Sequence, residues 1–427
     1  MTTPAIEIRN ARAIDPASGL DRVAAVYVSD GRIAAIGEAP SGWRSQRVID
    51  ASGHIVAPGL VDTSARLREP GLEHKATLES ELGAAVAGGV TSLACPPDTD
   101  PPLDEPGLVE MVRHRARSLD RASVYPVGAL TVGLAGAAIT EMGELAESGC
   151  IAFSQADAAL VDTQVLLRAM QYASTFGYRV WMRAQDWHLS RGGVAHDGEV
   201  ATRLGLPAIP SCAEAIALDR LFELARVTGV SLHVARLSSR EGVERVRQAR
   251  RSGLAVTCDV GIHHVHLCDV DIGWFDSNCH LVPPLRGVRD RDALRAGLSD
   301  GTIDAICSDH APVDDDAKQL PFGESEPGAT GLELLLPLTL AWARDARIEL
   351  PKALAKVTCE PARVLGIDAG TLRVGAAADL CVIDPDWRWT VGPGELRSQG
   401  HNTPFTGREL VGRARYTLRA GRVVHGD

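Results

Sequence analysis

Two patterns of apolar and polar positions divide the chain. From residue 5 to residue 56, apolar residues recur in short runs bounded by turn signals: 5–9, 25–28, 32–36 after an Asp30-Gly31 turn, and 47–50 before Ser52-Gly53. This spacing predicts a small β-sandwich. From Pro58 the pattern changes, and apolar runs too short for helices alternate with amphipathic stretches of helical period. The predicted strands are 60–62, 91–94, 123–127, 149–154, 179–183, 231–237, 255–260 and 305–308. The predicted helices include 77–87, 106–116, 164–176, 212–228, 240–251 and 290–298. Eight strands alternating with helices over about 250 residues predict a (β/α)8 barrel. Residues 333–366 again read as helical. After Gly370 short strands return at 380–383, 413–418 and 422–424, with turns at Asp384-Pro385 and Ala420-Gly421. The expected architecture is therefore α/β, a TIM-like barrel over 58–366. Segments 1–57 and 367–427 are expected to pair into one discontinuous β-sandwich domain.

Composition narrows this picture. The 427 residues suffice for one large and one small domain, and 45% hydrophobic residues suit a sizeable core. A net charge of −11 lacks the basic excess of a nucleic-acid binder. Nine cysteines are scattered without a C-x-x-C pair, which speaks against zinc fingers and disulfide frameworks and fits a reducing cytoplasm. The first residues, MTTPAIEIRN, do not read as a signal peptide, and no uncharged apolar run reaches membrane-spanning length.

In a barrel of this kind, chemistry is expected where strands end and loops begin. The first strand runs into Ser64, Arg66, Arg68 and Glu69. Alternate residues on an extended segment share a face, so a His-x-His pair here would hold a metal. Ser64 is a poor ligand, and Arg66 offers only donors. An acidic residue at the next strand end could bridge metals; after Phe153-Ser154 come Gln155, Ala156 and Asp157, the last a candidate carboxylate that reads rather as a loop or cap residue. Arg183 and Arg236 each close an apolar strand run. They read as guanidinium groups filling space that a cofactor would otherwise take, the alternative being arginines that snorkel to the mouth. The histidines at 263, 264 and 266 suit a loop or core role. Asp309, in Cys307-Ser-Asp-His, stands where a barrel keeps a general base or metal ligand, and equally where an aspartate would cap a turn.

These residues sit within stretches that resemble the dihydroorotases of the amidohydrolase superfamily over nearly the whole chain. The matching stretches are PGLVD and LREPGLEHK within 58–75, AAVAGGVTS (84–92), PPDTDP (96–101), FS (153–154), GGVAHDGEVATRLGLPAIPSCAEA (192–215), PPLR (283–286), DGTIDAICSDHAP (300–312), PFGESEPGATGLE (321–333) and NTPFTG (402–407). The resemblance implies a zinc-dependent cyclic amide hydrolase that interconverts N-carbamoyl-L-aspartate and dihydroorotate. It also implies which positions hold metal, and there this chain departs: Ser64 and Arg66 replace the His-x-His, Gln155 or Ala156 the bridging residue, and Arg183 and Arg236 the later histidines. Only Asp309 remains, as a remnant of ligand and base, and Arg68 matches the arginine that grips the substrate carboxylate. The asparagine of the Met-Pro-Asn loop is lost within Cys95–Pro101, with one residue inserted. Val282 and Val313 replace an asparagine and a histidine.

A coherent conversion follows: arginines supply the positive charge of the missing cation, giving a metal-free pocket with no cofactor and no intact catalytic set. The resemblance is strongest to the noncatalytic dihydroorotase-like chains that accompany aspartate carbamoyltransferase in some bacteria, and it implies a cytoplasmic assembly partner of that enzyme's catalytic chain in a hetero-oligomer, with neither nucleic acid nor membrane as partner. Two other readings stand beside it. One is a working dihydroorotase with zinc, supported by Asp309, Arg68 and the overall frame; separately, His233, His263, His264, His266 and His310 leave open a relocated metal site. The other is a metal-free binder of an anionic metabolite.

Overall fold

The computed structural model describes residues 4–426. Eight parallel strands form the barrel: Leu60–Asp62, Val90–Cys95, Ser123–Pro126, Phe153–Ser154, Arg179–Arg183, Ser231–Ala235, Val256–Gly261 and Ala305–Cys307. The first three hydrogen-bond as one parallel set and the last five as another. The backbone amides of Gly128 and Ile151 join the sets, donating to Ala152 (2.9 Å) and Pro126 (3.1 Å). The ring closes just beyond the strands, where Ala65 bridges to His310 in parallel. Most barrel strands are buried on both faces, which is why they read as near-continuous apolar runs.

The intervening helices follow their apolar stripes. Arg240–Arg251 buries Gly242, Val243, Val246 and Ala249, and keeps five arginines toward solvent or ion pairs. Leu78–Ala87 begins at Thr77, whose side chain accepts from the Ser80 N–H while Ser80 returns a bond to Thr77. The predicted helices stand within a few residues of their expected ends, the usual uncertainty of helix termini. Residues 262–266 form a short helix where a loop or core segment was expected.

The chain's two ends interleave. One sheet runs Arg32–Ile36, Val26–Ser29, Ile6–Arg9, Arg47–Asp50; the other runs Arg422–His425, Glu409–Arg419, Leu380–Thr390, Ile55–Pro58, Arg12–Asp15, Leu20–Val23. Leu380–Ile383 pairs antiparallel with Ile55–Pro58, so a C-terminal strand is laid directly against an N-terminal one. Ile6, Ile8, Val26, Ile33, Val56, Leu380, Val382 and Leu418 fill the core between the sheets. The turn expected at Asp384-Pro385 is instead a bulge inside a long strand, with the register slipping between Asp384 and Arg388. A proline lacking its N–H is tolerated at such an irregularity. No helix among the described residues is long and apolar enough to cross a membrane.

Candidate functional site

The first and last barrel strands are locked together before either reaches the mouth. Asp62 is fully buried and accepts from the backbone N–H groups of Ser308 (2.9 Å) and Ser64 (3.2 Å), and from the Ser308 hydroxyl. Burial pushes its carboxyl up to about 7 despite those bonds. Beyond that lock, the Arg66 N–H donates to the His310 carbonyl at 2.9 Å. This register aims Arg66 and Asp309 into the same space. Four site residues adopt left-handed backbone without being glycine: Arg68 (φ 63), Ala156 (φ 48), Arg236 (φ 57) and Asp309 (φ 46). Such conformations persist only where the surroundings enforce them.

The surroundings of Arg236 show how. Its N–H donates to Asp259 at 2.6 Å. The loop that follows is held by Glu214, whose two oxygens take the N–H and hydroxyl of both Ser238 and Ser239 at 2.6–3.0 Å. Asp259 also accepts from Thr63 and lies 3.1 Å from His233 Nε2. A buried polar floor thus fixes the arginine's Cα before its side chain meets anything.

Three guanidinium groups converge on one carboxylate. Asp157 receives Arg66 Nη2 at 2.6 Å, Arg183 Nε at 2.5 Å and Arg236 Nη2 in a very short contact. Arg66 Nε donates to Asp98 at 2.7 Å. Asp309 lies 3.1 Å from Arg236 Nη1 and 3.6 Å from Arg66 Nη1. Arg236 Nη1 also reaches the Val282 carbonyl at 2.9 Å. Burial by itself would raise the Asp157 carboxyl, but Arg236, Arg183 and Arg66 together hold it well below the usual carboxylate range. The Asp309 carboxyl stays raised, because burial outweighs the pull of Arg236 and Arg66.

Asp157 lies in the turn that follows the strand, as expected of a loop residue, but its carboxylate does more than cap that turn. It is the centre of the cluster, because three cations brought into one poorly solvated space require an anion between them. Asp98, from the Cys95–Pro101 loop, supplies a second. Neither was legible as a partner in the sequence, although three arginines at strand ends already demanded nearby acids.

The remaining site residues divide. Gln155 turns away from the mouth: its amide accepts from Thr131 Oγ1 (2.9 Å) and donates to the Leu134 carbonyl (2.7 Å). Ser64 faces a small chamber below the arginines. Arg68 donates from Nε to the Pro312 carbonyl at 2.9 Å and stands 3.9 Å from Glu326, which Lys75 holds at 2.6 Å. It lines a cavity of about 310 Å³ with Arg66, Arg236, Asp98, Asp157, Asp309 and Glu326.

The histidines do not assemble. His263, His264 and His266 each place Nε2 near a different backbone carbonyl, those of Thr330, Pro283 and Leu338, at 2.9–3.2 Å, and burial lowers all three rings to about 4. His310 Nε2 faces Glu81 at 2.6 Å, and His233 faces Asp259. Among the described residues, no group of three or more His, Cys, Asp or Glu side chains is arranged to hold a metal ion. At the strand ends the inward positions carry Ser64 and three guanidinium groups, which present donors where a cation needs lone pairs. These residues do not fit a zinc ion.

Comparison with known proteins places the chain in context. A model described as dihydro-orotase-like matches residues 53–242, and one described as amidohydrolase family matches residues 194–425. A dihydroorotase-like protein of Pseudomonas aeruginosa is 46% identical over 420 residues, covering 98% of this chain and 99% of the relative. A dihydroorotase of Geobacter sp. is 39% identical over 418 residues, covering 98% of each. Among solved structures, L-hydantoinase from Arthrobacter aurescens superposes with a TM-score of 0.88 at 25% identity, covering 100% of this chain and 96% of that one. D-hydantoinase from Thermus sp. shares the fold at 23% identity, with a TM-score of 0.82 over 99% of this chain and 95% of that one.

Proposed function

The chain belongs to the dihydroorotase-like family of amidohydrolases, and from that premise we propose that it is a catalytically silent member serving pyrimidine biosynthesis as a scaffold. One observation carries this reading: Arg66, Arg183 and Arg236 close on Asp157 at the strand ends. A metal-dependent hydrolase draws both its nucleophile and its Lewis acid from that space. Here the space holds a charge network satisfied from within the chain, and Asp309 is engaged by two arginines. Such a network preserves the barrel without supplying a hydroxide.

The partner proposed for the scaffold is the catalytic chain of aspartate carbamoyltransferase, in a cytoplasmic hetero-oligomer. Support for this comes from the resemblance to noncatalytic chains that accompany that enzyme and from the 46% identity to a relative named dihydroorotase-like. A second reading, an active dihydroorotase, draws on Asp309, on Arg68 at the mouth and on relatives named dihydroorotase. Metabolite binding is less favoured, since the larger cavity presents Asp98, Asp157, Asp309 and Glu326 beside its arginines, and these acids would repel an anionic ligand.

Metal analysis of protein purified without chelator, with a dihydroorotase assay in added zinc, separates the readings. The scaffold reading expects far less than one zinc per chain and no turnover. About one tightly bound zinc with turnover would establish the enzyme instead. Co-purification with the transferase chain, and transferase activity with and without this protein, tests the partner. Absence of association at micromolar concentrations would remove it.

A further inference from the structure

A knob and a hollow lie on one rim of the barrel mouth. The knob is formed by residues 268–280, after the short helix at 262–266. Val270, Trp274 and Phe275 are exposed on it, Trp274 to 87%. Its shape is fixed from within and from below. Cys268 donates its N–H to Asp271 Oδ2 at 2.9 Å, and Asp276 donates its N–H to the Ile272 carbonyl at 3.0 Å. Ser277 and Lys318 exchange bonds, each side chain donating to the other residue's carbonyl. The Phe275 ring meets the Trp274 ring edge to face, with centroids 5.5 Å apart. An apolar ridge held this firmly in solvent is the mark of a contact surface.

The hollow has a volume of about 220 Å³. Met182, Arg183, Trp187, Arg191 and Arg220 line it, with Val282 and the small residues of the turn at 156–159. Trp187 is 43% exposed, and Leu189, two residues on, is exposed as well. Arg220 directs its Nη groups to the carbonyls of Val161 (3.2 Å) and Leu160 (2.9 Å). Among the described residues, neither Arg220 nor Arg191 has a carboxylate within ion-pair distance.

The two features are joined. Val282, in the wall of the hollow, follows the knob by two residues. At the knob's other end, a side chain on Gly198 would stand 3.5 Å from Asp269 Oδ2. The segment 187–198 therefore runs from the wall of the hollow to the foot of the knob. Their chemistry is complementary. An indole face is the best π partner for a guanidinium, and Met182 and Trp187 add sulfur and ring contacts. Exposed acids flank the knob, Asp276 on it and Asp315 and Asp316 on the helical turn that carries Lys318. Arg191 and Arg220 give the hollow the opposite sign. Trp274 does not fill the hollow of its own chain, since it stands almost wholly exposed.

We propose that Trp274 of one copy of this chain enters the hollow beside Trp187 of a second copy, and reciprocally, across a twofold axis. Complementary features on one rim make a self-complementary patch, which is what a twofold contact requires. The inference is independent of the scaffold reading, since a silent and an active chain alike would carry both features.

The test is the oligomeric state of the full chain, followed by sedimentation across concentration. A dimer is expected at roughly 100 μM or below. Trp274→Ala should raise its dissociation constant roughly tenfold or more. Ala158→Trp, at an exposed position on the wall of the hollow, should do the same by filling it. Mixing the two variants should restore part of the association, because one intact knob then meets one open hollow. Circular dichroism checks that both variants fold, and Arg191→Glu replaces Ala158→Trp if that one does not. A chain that stays monomeric, or a dimer untouched by Trp274→Ala, would overturn the proposal. So would a mixture no more associated than its components. A knob covered only in the presence of another protein would overturn it too, and assign Trp274 to that partner.

Discussion

At the barrel mouth, Asp157 sits among three guanidinium groups. At the seam between the first barrel helix and the C-terminal segment, Glu81 sits among neutral donors and one imidazole. Glu81 Oε2 lies 2.6 Å from His310 Nε2 and 2.7 Å from Ser398 Oγ, while Oε1 takes the Gln399 N–H at 3.0 Å and the Ser80 hydroxyl at 2.8 Å. Burial would raise its carboxyl, yet His310 and Ser398 hold it below the ordinary value. Asp157 is about a third exposed, whereas Glu81 is wholly enclosed. The mouth thus balances whole charges against each other near solvent. The seam satisfies one carboxylate by directed bonds in a dry interior. The first arrangement fails by repulsion when its anion is lost, the second by leaving donors without partners.

The seam should show the largest effect. Glu81→Ala strands His310, Ser398 and the Gln399 amide, and is expected to cost about 3–5 kcal/mol in urea unfolding. A loss below about 1 kcal/mol would mean that water or a neighbour replaces the carboxylate, and the two regions would be less different than their geometry indicates.

Next comes the mouth. Asp157→Ala leaves Arg66, Arg183 and Arg236 facing one another and should destabilise by about 2–4 kcal/mol, with solvent limiting the loss. Adding Arg236→Met to that variant removes one of the three cations and should recover part of the stability. Additivity in this double-mutant cycle would sink the claim that the cluster acts as a unit. High salt should lessen the Asp157→Ala penalty and leave the Glu81→Ala penalty nearly unchanged.

The smallest effect concerns pH. Glu333, beside Glu81, accepts from the N–H groups of Arg397 and Ser398 at 2.9–3.1 Å, and burial pushes its carboxyl up to about 7 from an ordinary 4.5. The folded state therefore holds this proton more tightly than the unfolded chain does. Its contribution to stability is fully present below 4.5 and is lost as pH rises to about 7. Asp157 has the opposite sign: its contribution is present above the ordinary 3.8 and is lost as pH falls below that value. Glu333→Gln should flatten the decline between those limits by about 1–3 kcal/mol, read from urea midpoints across pH. An unchanged profile would exclude Glu333 as its source.

Much of this molecule could be read before folding was considered. The barrel strands announced themselves as apolar runs, and the helix at 240–251 was placed to the residue by its stripe of Val243, Val246 and Ala249. In the sandwich, strands Arg12–Asp15, Leu20–Val23 and Ile55–Pro58 escaped notice, since such short segments gain their structure from neighbours. At the site, the arginines at the strand ends were legible, and residue type alone says that guanidinium cannot coordinate a cation. The role of Asp157 was not, because an aspartate after a strand looks the same whether it caps a turn or anchors three arginines.

That contrast marks the division between sequence and structure in this protein. The sequence by itself determined the alternation that builds the barrel, the presence of Ser64 and Arg66 after the first strand and the placing of Arg183 and Arg236 at later strand ends. Only the tertiary structure decided how those charges are reconciled. Asp157 meets Arg66 across 91 residues and Arg236 across 79, while five histidines that could have gathered are dispersed to separate partners. The physical reason is that charges in a poorly solvated space must be neutralised by whatever lies near them in space, and the closure of the barrel sets which residues those are.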